Sequence, residues 1–108
     1  MKLPSEVFGD VVVVHTPKEV HEDNADLLAS FLTTLDQAKI VIDLDGTETL
    51  DSQGLEMFLD VQETLQGRDG QLKVSTANHA NRKILEITRL DEHLEVYSSV
   101  IDAVKSFA

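Results

Sequence analysis

The chain has 108 residues, no cysteine and a formal net charge of −11 at pH 7, with a pI near 4.5. That length accommodates one domain around a single core. The acidity disfavours nucleic-acid and anionic-membrane partners, whose phosphates would be repelled. The missing cysteines exclude disulfides, thiolate metal sites and cysteine catalysis. No apolar run approaches the ~20 residues of a membrane span. The N-terminal Met1-Lys2-Leu3-Pro4-Ser5-Glu6 lacks the apolar stretch of a secretory signal. The expectation is a cytoplasmic protein with one domain over residues 1–108 and no membrane insertion.

In chain order, residues 2–8 make a strand only with difficulty. Pro4 lacks a ladder donor and points to a sheet edge. Phe8-Gly9-Asp10 signals a turn, and Val11-Val12-Val13-Val14 is a strand, so the pair suggests an antiparallel hairpin. Thr16-Pro17-Lys18-Glu19 reads as a loop. Glu22, Asp23, Asn24 and Asp26 provide the negative first turn that a helix dipole favours. Leu28, Phe31, Leu32 and Leu35 then recur at i, i+3, i+4, i+7, which gives that helix one apolar face.

Lys39-Ile40-Val41-Ile42-Asp43-Leu44 is rich in β-branched residues and reads as a strand buried on both faces. Asp45-Gly46 ends it. A second helix is expected from about Gln53 to Gln66. Leu55, Phe58, Leu59 and Leu65 share its apolar face, and Glu56, Asp60 and Glu63 lie opposite. Met57 and Val61 fall at the edge of the arc, where half-exposure is expected. Gly67-Arg68-Asp69-Gly70 closes the helix with glycines suited to positive φ. Leu72-Lys73-Val74-Ser75 is a third sheet strand. Asn78 suits the N-cap of a helix through Ile84, Leu85 and Ile87. Leu94-Glu95-Val96-Tyr97 is a last strand, and Ser98 can cap a closing helix with Val100, Ile101, Val104 and Phe107. The order β-α-β-α-β-α-β-α after the hairpin implies a largely parallel sheet.

Two stretches carry candidate chemistry. Asp43-Leu44-Asp45-Gly46-Thr47 resembles the first motif of haloacid dehalogenase-like phosphatases. There the residue matching Asp43 is the nucleophile and the one matching Asp45 the general acid-base. Two carboxylates at i, i+2 can hold Mg²⁺ while one attacks phosphorus. The later lysine and acidic pair that such a site needs are poorly matched, since Asp69 sits in a turn and Asp91-Glu92 between a helix and a strand. The plainer reading makes Asp43 and Asp45 strand-end carboxylates around a turn glycine.

Leu50-Asp51-Ser52-Gln53-Gly54-Leu55 resembles the Asp-Ser-x-Gly-Leu signature of STAS domains, the bacterial anti-sigma factor antagonist family. Three later segments extend the likeness: Gly70 to Val74, Arg82 to Thr88, and Leu90 to Ala103. The resemblance implies an α/β fold: a STAS-like single domain with a mixed, mostly parallel β-sheet, an N-terminal antiparallel hairpin strand and about four flanking α-helices. It also implies a binding protein rather than an enzyme, with Ser52 as the phosphorylated hydroxyl. The implied partner is an anti-sigma factor with serine kinase activity, bound when Ser52 is unmodified and released on its phosphorylation. The alternative is an unmodified scaffold subunit of a stressosome or lipid-transport assembly.

The expected contact surface is Asp51, Ser52, Gln53, Gly54, Glu56, Met57, Asp60 and Val61. Taken alone, Ser52 is a helix N-cap worth ~1 kcal/mol. From Asp43 to Glu63 the chain carries seven acids and no Lys or Arg, which suits a partner with a basic docking face. Thr16-Pro17-Lys18-Glu19-Val20-His21 departs from the Gly-Glu-Leu-Asp loop of many relatives, with His21 in the aspartate's place. Arg89 stands where a helix-ending glycine is usual. His15, His21, His79 and His93 form no i, i+4 pair, so neither a metal site nor a cofactor is expected. His15 reads as structural. The expected oligomeric state is a monomer or weak dimer.

Overall fold

Four successive valines force one strand to bury both of its faces, and the rest of the sheet is laid around that strand. The computed structural model describes residues 1–108. Its main sheet contains β1 (Ser5–Phe8), β2 (Val11–His15), β4 (Lys39–Asp43), β6 (Gln71–Ser75) and β7 (Glu95–Tyr97), in the spatial order β1-β2-β4-β6-β7. Only β1 runs antiparallel, hairpinned to β2 with Phe8 opposite Val11. The N-terminal segment therefore does form a strand, and it takes the edge position that Pro4 indicates. Two further short strands, β3 (Glu19–Val20) and β5 (Thr49–Leu50), pair parallel in a separate two-stranded sheet.

The helices divide unequally between the sheet's faces. Val12, Val14, Ile40, Ile42, Leu72 and Val74 point into one large core. They meet Leu28 and Leu32 of α1 (Ala25–Thr33), Phe58 and Leu65 of α2 (Ser52–Gln66), and Leu85 of α3 (His79–Ile87). The opposite face presents Val11, Val13 and Val41 to the single short helix α4 (Val100–Lys105), through Ala103 with Val100, Val104 and Phe107 beside it. Lys73 points toward this smaller layer and is only 4% exposed. Its amino group donates to Ser106 Oγ at 2.7 Å and lies 4.1 Å from the Phe107 ring centre. A cation over an aromatic face is attracted by the ring quadrupole, so this lysine ties the C-terminal segment to the sheet.

The structure departs from the sequence reading at several helix ends. Ser99, not Ser98, caps α4, accepting from Asp102 N. Asn78 caps α3 as expected, accepting from Ala80 N and Asn81 N. After α2 the positive φ falls on Asp69, at 58°, and on neither flanking glycine. Gly70 is required for another reason: a Cβ there would lie 2.1 Å from the Ala38 carbonyl oxygen. Arg89 adopts the left-handed conformation, φ 62° and ψ 21°, so the turn is kept without the usual glycine. A one-turn 3₁₀ helix, Leu90–Glu92, follows it.

The parallel register sets the C-terminal ends of three strands level. His15 of β2 aligns with Asp43 of β4, and Asp43 with Ser75 of β6. The loops leaving that edge hold the candidate site.

Candidate functional site at the entrance of the second helix

The site begins where β4 ends. Asp43 Oδ1 accepts the Asp45 N–H at 3.0 Å, and Asp45 Oδ1 accepts the Ala77 N–H at 2.7 Å. The other oxygen of Asp43 meets His15 Nδ1 at 2.8 Å. Both carboxylates thus tie this loop to neighbouring strand ends. No group of three or more acidic and imidazole side chains has the geometry of a metal site.

Beyond Asp45 the loop is held from within. Thr47 is fully buried; its hydroxyl donates to the Pro17 carbonyl at 2.7 Å and also meets the Thr16 hydroxyl. Asn81, from the first turn of α3, donates its side-chain amide to the Leu44 and Thr47 carbonyls at 3.0 and 2.9 Å. Sequence reasoning missed Asn81, because an asparagine inside a helix gives no sign of which distant loop it will hold.

β5 then pairs Leu50 with Val20, and the Asp51 N–H donates to the Val20 carbonyl at 3.2 Å. Asp51, rather than Ser52, is the N-cap of α2. Its Oδ1 accepts the Gly54 N–H at 2.9 Å and its Oδ2 the Glu22 N–H at 3.1 Å. These backbone donors, Gly54 first, hold the Asp51 carboxyl below its ordinary pKa, as expected for a charge that accepts N–H groups. Ser52 is the first helical residue and is exposed, as is Gln53. With Asp51 serving the turn, the Ser52 hydroxyl is free of capping duty.

Gly54 is buried against β3: a Cβ there would come within 2.6 Å of the Val20 carbonyl oxygen. It lets the helix entrance approach the strand and is not a contact surface. Glu56 and Asp60 lie exposed on the outer face. Met57 and Val61, expected at a half-exposed edge, are 5% and 1% exposed and belong to the main core. The correction has a packing cause. α2 rests on the sheet and against α1 at once, so the arc it buries is wider than one sheet-facing stripe. Gln62 is also buried, its Oε1 accepting the Leu72 N–H at 2.6 Å. The solvent face of the site reduces to Ser52, Gln53, Glu56 and Asp60.

The segment before α1 borders this entrance. His21 Nε2 lies 3.0 Å from Glu19 Oε2, and its Nδ1 accepts the Asp23 N–H at 3.2 Å. The bond to Glu19, with Asp23, Glu19 and Asp51 nearby, raises the His21 pKa against a smaller burial effect.

The STAS domain family matches residues 2–103. The chain belongs to that family. Among curated relatives, a Thermotoga neapolitana protein named as an anti-sigma factor antagonist homologue is 24% identical over 106 residues, 94% of each chain. The crystal structure of an anti-sigma factor antagonist from Mycobacterium paratuberculosis superposes with a TM-score of 0.85 at 26% identity, covering 97% of this chain and 92% of that one. The Bacillus cell fate determinant SpoIIAA, in its phosphorylated form, has the same fold at 15% identity, with a TM-score of 0.72 over 99% of this chain and 100% of that one. The five-stranded mixed sheet with its antiparallel β1–β2 pair is thus the STAS fold. No helix of this STAS domain is long and apolar enough to cross a membrane.

Proposed function

We propose that this STAS domain acts as an anti-sigma factor antagonist whose binding is switched at Ser52. The observation that carries the proposal is the split between neighbouring hydroxyls. Ser52 is exposed at the first turn of α2 and released from capping by Asp51, whereas Thr47 is sealed inside its loop. A kinase can reach the first and not the second. The unsatisfied N–H groups of a helix N-terminus tolerate an added phosphate without refolding. The modification brings about −1.5 to −2 charges at neutral pH, enough to turn a docking surface repulsive. The relatives named for anti-sigma factor antagonism, and the relative with a phosphorylated form, support the same reading.

In this mechanism unmodified Ser52, with Gln53, Glu56 and Asp60, docks an anti-sigma factor with a basic complementary face. That partner, acting as an ATP-dependent serine kinase, phosphorylates Ser52 and releases the antagonist. The test is binding of wild type, Ser52→Ala and Ser52→Asp to the cognate anti-sigma factor, with mass spectrometry after incubation with ATP. Ser52→Ala keeps the complex and folds within about ±0.5 kcal/mol of wild type, since Asp51 retains the cap. Ser52→Asp folds equally well and loses binding on the order of 1–3 kcal/mol. Phosphate on exposed Thr49 would show that the site is wrong. No phosphate, with all three proteins binding alike, would replace the switch with the unmodified-scaffold role.

A further inference from the structure

From Asp43 to Glu63 the chain provides no Lys or Arg, yet the segment packed on the entrance of α2 carries one group able to become a cation. Its position follows from the backbone. The Val20 carbonyl sits where a side chain on Gly54 would be, and the Glu22 N–H is bonded to the Asp51 carboxylate at 3.1 Å. The residue between them, His21, therefore flanks the turn that bears Ser52. We propose that His21 is the resident counter-charge for a phosphate on Ser52, pairing with it as imidazolium and holding it against residues 19–23. This deepens the Ser52 reading and rests on it for its biological meaning.

The ring is set for that role. Nδ1 accepts the Asp23 N–H, so the proton of the neutral form resides on Nε2, facing Glu19. Protonation places a second hydrogen on Nδ1, which gives up the Asp23 N–H and becomes a donor with the Asp23 carboxylate 3.9 Å away. The groups bearing on the ring are Glu19 from β3, Asp23 from the following loop and Asp51 from the α2 cap. All are acidic, and together they already favour the charged ring. The side chain is 26% exposed, open enough for a phosphate oxygen to approach. A further dianion shifts the balance to imidazolium, and the imidazolium in turn favours the dianion over the monoanion. Phosphorylation at neutral pH thereby takes up a proton at His21 and fixes the phosphate in place.

The experiment uses the full chain with phosphoserine installed at position 52 during synthesis, so that neither kinase nor partner is needed. Imidazole resonances are titrated by ¹H–¹³C NMR and the phosphate by ³¹P NMR. The His21 midpoint is expected to rise on phosphorylation while the other three imidazoles serve as references. The second phosphate ionisation, ordinarily near pH 6, is expected to lie lower in the wild-type background than in His21→Gln. Lys18→Gln, a control for the nearest lysine in sequence, leaves both displacements in place. An unmoved His21 midpoint, a phosphate midpoint indifferent to His21→Gln, or a displacement abolished by Lys18→Gln would overturn the proposal. The His21 reading needs no variant, so misfolding of a mutant does not blur it. Failure of the partner assay bears on the switch function alone, because the phosphate here is installed chemically.

Discussion

His15 is held at both ring nitrogens by carboxylates: Glu6 Oε1 meets Nε2 at 2.6 Å and Asp43 Oδ2 meets Nδ1 at 2.8 Å. Only the protonated ring can donate to both acceptors. The bond to Glu6, with a further contribution from Asp43, raises the His15 pKa above its ordinary value against a burial effect that lowers it. Glu6 belongs to the edge strand and Asp43 to the central one, so the ring ties β1 to β4 across β2. The sign of the linkage follows from the raised value. The stabilisation is complete below the unfolded histidine pKa of about 6.5 and is lost as pH rises through the folded pKa. Urea unfolding from pH 5.5 to 8.5 should show wild type losing stability more steeply than His15→Gln. His21 contributes with the same sign in both proteins and cancels in the comparison. Equal slopes would show that the carboxylate–imidazole bridge does not stabilise the fold. The sequence shows His15 beside core valines and suggests a structural role, but its two partners come from positions 6 and 43, and no spacing rule connects them.

At the scale of elements, α2 decides between surface and core. Met57 and Val61 fill the space between sheet and α1, so truncation leaves a cavity that the surroundings cannot fully close. Met57→Ala is expected to cost about 2–5 kcal/mol in urea unfolding, whereas Glu56→Ala on the exposed side should stay within about ±0.5. A Met57→Ala cost in the surface range would return that residue to the docking face. The helix and its main apolar stripe were legible because Leu55, Phe58 and Leu65 repeat at the helical period. The second contact was not, because periodicity reports that a face is apolar and does not count the neighbours packed against it. The sequence reading puts the cap at Ser52 where the structure has Asp51, for a related reason. Asp51 and Ser52 are both good N-caps, and the choice depends on a backbone register set by β5 pairing with β3. Those strands, two residues each, are too short to carry any alternation. The valine strand, the central strand and the Asp-Ser-x-Gly entrance could be read because each signal is local. Buried Thr47, Asn81 and Lys73 could not, because their partners are remote in the chain.

For the whole molecule, charge acts on folding and on docking with opposite dependence on salt. A net charge of −11 is confined to a body of 30 × 26 × 24 Å. At 0.01 M ionic strength the screening length is about 30 Å, and at 0.15 M about 8 Å. Acids therefore repel across the entire molecule in the first condition and only between near neighbours in the second. Self-repulsion destabilises the compact state, so the urea midpoint should rise as NaCl goes from 0.01 to 0.15 M. Association with a basic partner should move the other way. On the proposed reading the acidic stripe of α2 steers encounter, and screening removes that steering. Stopped-flow measurements with the cognate anti-sigma factor over the same salt range should show a falling association rate. Glu56→Gln with Asp60→Gln should lower that rate at 0.01 M and flatten its salt dependence, with little change in unfolding. Should the rate be indifferent to salt, or the double variant keep the wild-type slope, the docking face lies elsewhere than the exposed side of α2.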